Sequence, residues 1–240
     1  MKLLLIGDSH IIRFRKTLKY DIPASECVPN QDANIHNLPQ WSKNINFTCG
    51  NYEHLIKVGG FSEDLYFSHH QGRHAWGSSI IFDKLNPCLK EVAKKVDIII
   101  PAFGYIDSKI QLVKYKNPED TAKKYVDGVL NSFPNKKIIF LEPIPQFVNN
   151  LGTGPDIYDF DERYRMHQAF VKSLRKESES NNLGLTISPE KILGIDYLDS
   201  KYECHECDYC LYPENKNVKL DHLKNKYNKI IIDEVLKLIL

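Results

Sequence analysis

Leu3-Leu4-Leu5-Ile6-Gly7-Asp8-Ser9-His10 decides how the rest of the chain is read: an apolar run stops at a glycine and is followed at once by three polar side chains. A short Leu- and Ile-rich segment closed by glycine reads as a buried strand of an α/β sheet. Asp8-Ser9-His10 then falls at the strand's C-terminal end. In an open parallel sheet that edge is where ligands gather, because loops there rest on a rigid scaffold while their side chains stay free. Ser9 is a candidate nucleophile on this ground. Asp and Ser are also good helix caps, accepting hydrogen bonds from free backbone N–H groups, and on this stretch alone the two readings stand level.

The chain beyond repeats the pattern of strand, polar turn and helix. Ile11, Phe14 and Leu18 keep a helical period, whereas residues 20–45 hold three prolines and many Asn, Asp and Gln without a period and read as a surface excursion. Asn46–Cys49 and His54–Val58 are alternative short strands on either side of Gly50-Asn51. Phe67 to Ser78 contains His69, His70, His74, Gly72, Gly77 and Arg73, a composition that no regular element favours. Ser79 to Lys95 has a helical face, and Val96–Ile100 is a second buried strand that runs into Pro101-Ala102-Phe103-Gly104-Tyr105-Ile106-Asp107-Ser108. Pro118 to Phe133 predicts a helix with proline in its first turn and Glu119-Asp120 at its positive end.

Lys137–Leu141 predicts the next strand, Asp161 to Ser180 an amphipathic helix, Gly184–Ile187 a fifth strand, and Leu220 to Leu240 a strongly amphipathic terminal helix. This alternation implies a parallel sheet covered on both faces. The expected architecture is one α/β domain over residues 1–240, a three-layer α/β/α sandwich with a mostly parallel five-stranded flavodoxin-like sheet, and loop excursions at 20–45 and 200–217.

Length and charge narrow the function classes. A chain of 240 residues fits one α/β domain with a substantial core. With 32 basic and 31 acidic residues the net charge is +1, so no bulk field favours nucleic acid or an anionic membrane, and neither partner is expected. The apolar run before Gly7 is too short for a signal-peptide core and no segment approaches the ~18 apolar residues of a membrane span, so a cytoplasmic location is expected. Six cysteines in a chain of this size do not make a disulfide framework. Cys204, Cys207 and Cys210 form two Cys-x-x-Cys spacings that share Cys207, which suits thiolate coordination of zinc with His205 as a fourth ligand. Plain thiols fit the same residues, since no second knuckle exists elsewhere. No other feature calls for a cofactor.

Three polar turns carry chemistry: Gly7-Asp8-Ser9-His10, Gly104-Tyr105-Ile106-Asp107, and Asp221-His222-Leu223 before the last helix. Right-handed crossovers bring successive strand ends to one edge of a sheet. A serine nucleophile needs a base, and histidine is the usual one near neutral pH; His222 supplies it.

On these turns the chain resembles the SGNH/GDSL hydrolase superfamily, whose first block is Gly-Asp-Ser after the first strand and whose last block is Asp-x-x-His before the C-terminal helix. The resemblance implies Ser9 as nucleophile and His222 as base. Phe103-Gly104-Tyr105-Ile106-Asp107 is similar to the third block, and closer still to a branch with Phe-Gly-Glu-Ile-Asp there, often found near polysaccharide loci. The second-block glycine, whose N–H helps hold the oxyanion, is Gly72 or Gly77 by this likeness, with Asp8, Gly104 and Asp107 around it. Arg73, His74 and Trp76 are then candidates to line the substrate site, Arg73 for an anionic group and Trp76 for a sugar face. Two positions depart from the family pattern. Lys219 stands three residues before His222 where the family has its acid, leaving Asp221, a backbone carbonyl or Glu214 to orient the imidazole. Ile106 stands where the family has asparagine, which removes an oxyanion donor worth roughly 2.7–4 kcal/mol.

The expectation is therefore a serine esterase that removes a small O-acyl group from a carbohydrate. An O-acyltransferase acting on a sugar and a catalytically silent glycan- or partner-binding relative are the alternatives.

Overall fold

Leu3, Leu4, Leu5 and Ile6 lie at the bottom of the core, none more than 2% exposed. They form strand β1 (Leu3–Gly7), which has a parallel neighbour on each side: β2 (Leu65–His69) in register Leu3↔Leu65, and β3 (Ile98–Ala102) in register Leu3↔Ile98. A strand paired on both edges and covered on both faces has no wet side, which is why its sequence is uninterruptedly apolar rather than alternating. Strand β4 (Lys137–Ile138) lies outside β3, giving the order β2-β1-β3-β4. The computed structural model describes residues 2–8, 65–69, 75–77, 93–105, 107–144, 159–183, 186–195 and 225–239 of the chain.

Hydrogen bonding continues past the formal end of β4. The N–H of Ile139 donates to Ile99 O at 3.0 Å and that of Leu141 to Pro101 O at 2.9 Å. Leu141 in turn bridges Ile187 in parallel, with Ile187 N–H on Phe140 O and Glu142 N–H on Ile187 O. Ile187 therefore marks the fifth position, and the sequence of positions is the flavodoxin-like 2-1-3-4-5. The expected fifth strand is reduced to a single bridge among the described residues.

Two strands differ from expectation. The apolar run Val96–Ile100 predicts a strand that ends before Pro101, yet β3 extends through Ala102. Proline lacks only the donor, and here its carbonyl is the used group, accepting from Leu141. The second difference is β2, whose residues 67–69 belong to the stretch read as irregular. Pairing with β1 over five residues outweighs a composition without strand preference. The alternatives at 46–49 and 54–58, the helices expected at 11–18 and over most of 79–95, and the excursions at 20–45 and 200–217 lie outside the described residues.

After β3 the chain makes a π-helical turn (Asp107–Gln111) and then α1 (Leu112–Tyr115), α2 (Pro118–Ser132), α3 (Phe160–Ser180), α4 (Pro189–Leu193) and α5 (Asn225–Ile239). Helix α2 starts as its sequence predicts, with Pro118 in the first turn beside Glu119 and Asp120, and buries Ala122, Tyr125, Val126 and Val129 at spacings of three and four. Helix α3 packs along α2 and buries Arg163, His167, Phe170, Leu174 and Ser178. The connections β3→β4 and β4→Ile187 step the same way across the sheet, so right-handed crossovers put α2 and α3 on one face. Helix α4 is capped by Ser188 Oγ, which accepts the N–H of Lys191, and closed by Gly194 at φ +64. Helix α5 adds Ile231, Ile232, Val235 and Leu236 to the core. Among the described residues no helix is long and apolar enough to cross a membrane.

Candidate active site

β1 steps to β2 in one direction and the chain then returns past β1 to β3, so the strand order reverses between β1 and β3. In open α/β sheets this switch point leaves a crevice outside the strands' C-terminal ends. Asp8 sits there directly after β1, 1% exposed, with its N–H on Ala102 O at 3.4 Å. The turn Phe103-Gly104-Tyr105 follows β3 across the crevice, and Asp107 ends it, fully buried.

Asp107 joins the loops of two strands. Its Oδ2 accepts the N–H of Ala75 at 2.5 Å and its Oδ1 that of Trp76 at 3.3 Å, which ties the turn after β2 to the turn after β3. Burial drives the Asp107 carboxyl up to about 7, the two backbone N–H groups of Ala75 and Trp76 oppose this, and the neighbouring charge of Asp8 adds to the rise.

The turn itself is fixed from below and behind. Phe103 N–H donates to the hydroxyl of Tyr125 on α2 at 3.0 Å, and the Tyr125 ring stands edge-on to Phe103 and Phe140. Burial holds this phenol well above its ordinary value, so it remains protonated. Gly104 adopts φ +119, and a Cβ there would lie 3.0 Å from Phe170 Cε1 and 3.1 Å from Pro143 Cγ. Both the backbone conformation and the space require glycine. Ser108 N–H and Oγ both reach the Gly104 carbonyl, and the same Oγ lies 2.8 Å from His167 Nδ1. His167 Nε2 continues to Glu190 Oε1 at 3.2 Å.

Further along the sheet edge Glu142 is buried against Arg175, whose Nε and Nη2 each donate to one carboxylate oxygen at 2.7 Å. Thr186 Oγ1 donates to Glu142 Oε1 as well. Burial pushes this carboxyl upward, but the hydrogen bonds from Arg175, Thr186 and Ser188 outweigh it and hold the group below its ordinary value. A cavity of about 280 Å³ opens over this pair, with Glu179, Lys191 and Leu238 on its walls.

Of the residues singled out in the sequence, Asp8, Trp76, Gly77, Gly104 and Asp107 come together at the switch point. Gly77 is buried in the turn that Asp107 holds. Trp76 is half-buried, and Lys124 Nζ lies 3.5 Å from the centre of its ring. That ammonium occupies one indole face, so a sugar could stack only on the other. Ser9, Gly72, Arg73, His74, Asp221, His222, Cys204, His205, Cys207 and Cys210 lie outside the described residues, as do Ile106, Glu214 and Lys219. Among the described residues no group of three or more His, Cys, Asp or Glu side chains is placed to hold a metal.

Sequence reading did not single out Tyr125, His167, Glu142 or Glu190. Glu142 carried a usable signal, an acid directly after a strand at the same sheet edge. His167 sits at helical spacing with Phe170 and Leu174, where a core side chain would stand, and nothing local marks it.

No protein-family model matches the chain, and no curated protein matches it. Solved structures do. A protein described as a GDSL-like lipase from Parabacteroides merdae superposes with a TM-score of 0.50 at 12% identity, over 98% of this chain and 94% of that one. A protein described as a platelet activating factor from Streptococcus pneumonia superposes with a TM-score of 0.51 at 12% identity, over 99% of this chain and 83% of that one. The likeness spans nearly the whole chain and concerns the fold.

Proposed function

We propose that this chain, whose fold is that of the SGNH/GDSL hydrolases, is a serine ester hydrolase acting on a small O-acyl group carried by a carbohydrate. The observation that carries the reading is the joining, through Asp107, of the turns after β2 and β3 beside Asp8 at the switch point. It brings the second-block and third-block segments against the first-block segment that ends in Ser9, the order in which the resemblance needs them.

In this reading Ser9 Oγ attacks the ester carbonyl while His222 takes its proton, with Asp221 or another acceptor orienting the imidazole. The carbonyl oxygen becomes an oxyanion held by backbone N–H groups, one from Ser9 and one from the second-block glycine. The Asp107 carboxylate takes the N–H groups of Ala75 and Trp76, so neither can serve as that donor. That second-block glycine is Gly72 or Gly77. His222 then returns the proton to the leaving alcohol, and water, deprotonated by His222, releases the acyl group and restores Ser9.

The carbohydrate is supported by the Phe-Gly-x-Ile-Asp likeness and by the polar and aromatic residues of the sequence between 69 and 76. The test is an organophosphonate label followed by peptide mass mapping, together with a panel of acetylated sugars. A single adduct on Ser9 and acetate release from a sugar ester support the reading. An adduct elsewhere, or a wild-type chain that resists the label and hydrolyses no ester, refutes it.

A further inference from the structure

The cavity of about 280 Å³ beside Ile187 lies at the fifth position of the sheet, and the proposed ester chemistry does not use it. Two strand spacings separate that position from β3 at the switch point, ~10 Å along the sheet. Helix α3 brings Arg175 and Glu179 to its walls, α4 brings Lys191 and Ile192, and α5 brings Leu238. The space equals that of about nine water molecules at ~30 Å³ each, so it suits a molecule of roughly that many heavy atoms.

The floor is already neutral. Glu142 accepts from Nε and Nη2 of Arg175 at 2.7 Å each, so the two charges cancel within the protein, and Thr186 and Ser188 turn their hydroxyls to the same carboxylate. An arginine has five N–H donors, and the three that Glu142 does not take have no acceptor among the described residues. The rim differs from the floor. Lys191 on the α4 wall and Glu179 on the α3 wall are both exposed, and among the described residues neither side chain has a hydrogen-bond or ion-pair partner, the other included. A cation and an anion thus line one space without neutralising each other. Ile187, Ile192 and Leu238 supply the apolar lining, and Leu238 is left 65% exposed.

We propose that this cavity binds a free α-amino acid with an aliphatic side chain. The ligand's carboxylate accepts from Lys191 Nζ and from the N–H groups of Arg175 that Glu142 does not take, its ammonium pairs with Glu179, and its side chain covers Leu238 and Ile192. A carboxylate alone meets Glu179 as a like charge, and an amine alone meets Lys191 in the same way, whereas a zwitterion satisfies both. The inference goes beyond the esterase reading and does not rest on it.

The test is a titration of the full nitrogen-15-labelled chain at about pH 7, where carboxylate and ammonium are both charged, followed through its backbone amide signals. The probes are L-leucine, isocaproate and isoamylamine, which share one aliphatic body and differ in which charges they carry. L-leucine is expected to give saturable shifts at Thr186, Ser188 and Lys191. It is expected to bind at least about tenfold more tightly than either single-charge probe, the worth of one charge-assisted hydrogen bond. The comparison reads the wild-type chain alone and does not depend on any variant folding. Lys191→Met and Glu179→Gln, both at exposed side chains, each weaken L-leucine by a similar factor with Tm unchanged. The proposal is overturned by the absence of a saturable shift with L-leucine up to about 50 mM, by isocaproate or isoamylamine binding as tightly as L-leucine, or by an affinity that neither variant lowers. None of these readouts involves Ser9, so failure here leaves the esterase reading standing, and a chain without Ser9-dependent turnover leaves this site standing.

Discussion

Replacing Asp107 by asparagine tests how the fold treats the acid that ties the turn at 75–77 to the turn after β3. Its carboxyl lies at about 7 in the folded chain against an ordinary 3.8. The folded protein thus holds a proton that the unfolded chain has already released, and the associated stability is fully present below the unfolded value and lost as pH rises through the folded one. At about 1.4 kcal/mol per unit the whole window is worth about 4 kcal/mol, of which roughly 2.7 kcal/mol falls between pH 5 and pH 8.

Asparagine keeps one carbonyl oxygen for the N–H of Ala75 but turns an amide nitrogen toward the N–H of Trp76, a constant cost of about 1 kcal/mol. Urea unfolding of both proteins at pH 5, 6, 7 and 8 should therefore show the variant gaining on the wild type by about 2.7 kcal/mol from the acid to the alkaline end. The difference between the two curves isolates this group from every other titration. A flat difference, or one that moves in favour of the wild type as pH rises, would refute the argument that burial dominates at Asp107.

Gly104→Ala places a Cβ 3.0 Å from Phe170 and forces alanine to φ +119. It should cost about 1–3 kcal/mol by chemical denaturation, and an unchanged midpoint would contradict the geometry of the turn. Arg175→Met strands the buried Glu142 carboxylate, whose side chain is 1% exposed against 35% for the arginine. Removing one partner of a buried pair costs about 3–5 kcal/mol, and the partly exposed guanidinium puts this case near the lower end, readable as a lowered Tm. The double change Arg175→Met with Glu142→Gln should recover part of the loss, and no recovery would sink the ion-pair account. Tyr125→Phe leaves the Phe103 N–H without its acceptor and should destabilise by about 1–3 kcal/mol; equal stability of the variant would show that another group satisfies that N–H.

The scaffold was legible wherever burial on both faces or helical amphipathicity wrote itself into the sequence. Leu3 to Ile6, the strand after Val96 and the helices at Pro118, Asp161 and the C-terminus all follow from that physics. β2 did not, because its place is set by backbone pairing with β1, and His69 and its neighbours carry no periodic signal of it. Of the fifth strand, read over Gly184–Ile187, the described residues show the parallel bridge of Ile187 with Leu141, and Gly184 and Leu185 lie outside them.

At the site, the polar residues after strands were legible because a sheet edge is where polar side chains interrupt apolar runs. Asp8, Gly104 and Asp107 follow β1 and β3 at that edge, where the apolar runs end. The roles within the site were less so. Asp107 reads in sequence as one more turn acid, and only its two backbone contacts mark it as the joint between loops. Likewise Trp76 reads as a stacking platform until Lys124 is seen over one face. The pairing of Ser108 with His167, 59 residues apart, depends on how α3 packs against the π-helical turn and leaves no local trace.

Hydrolysis of a short-chain nitrophenyl acetate by the wild type and by Ser9→Ala, purified in parallel and matched for folding by circular dichroism, tests the central claim most directly. The account predicts measurable turnover by the wild type and a loss of at least about 10³-fold in kcat for the variant, the scale on which removing a nucleophile acts. Turnover that survives in Ser9→Ala, or a folded wild type with no turnover, would contradict it.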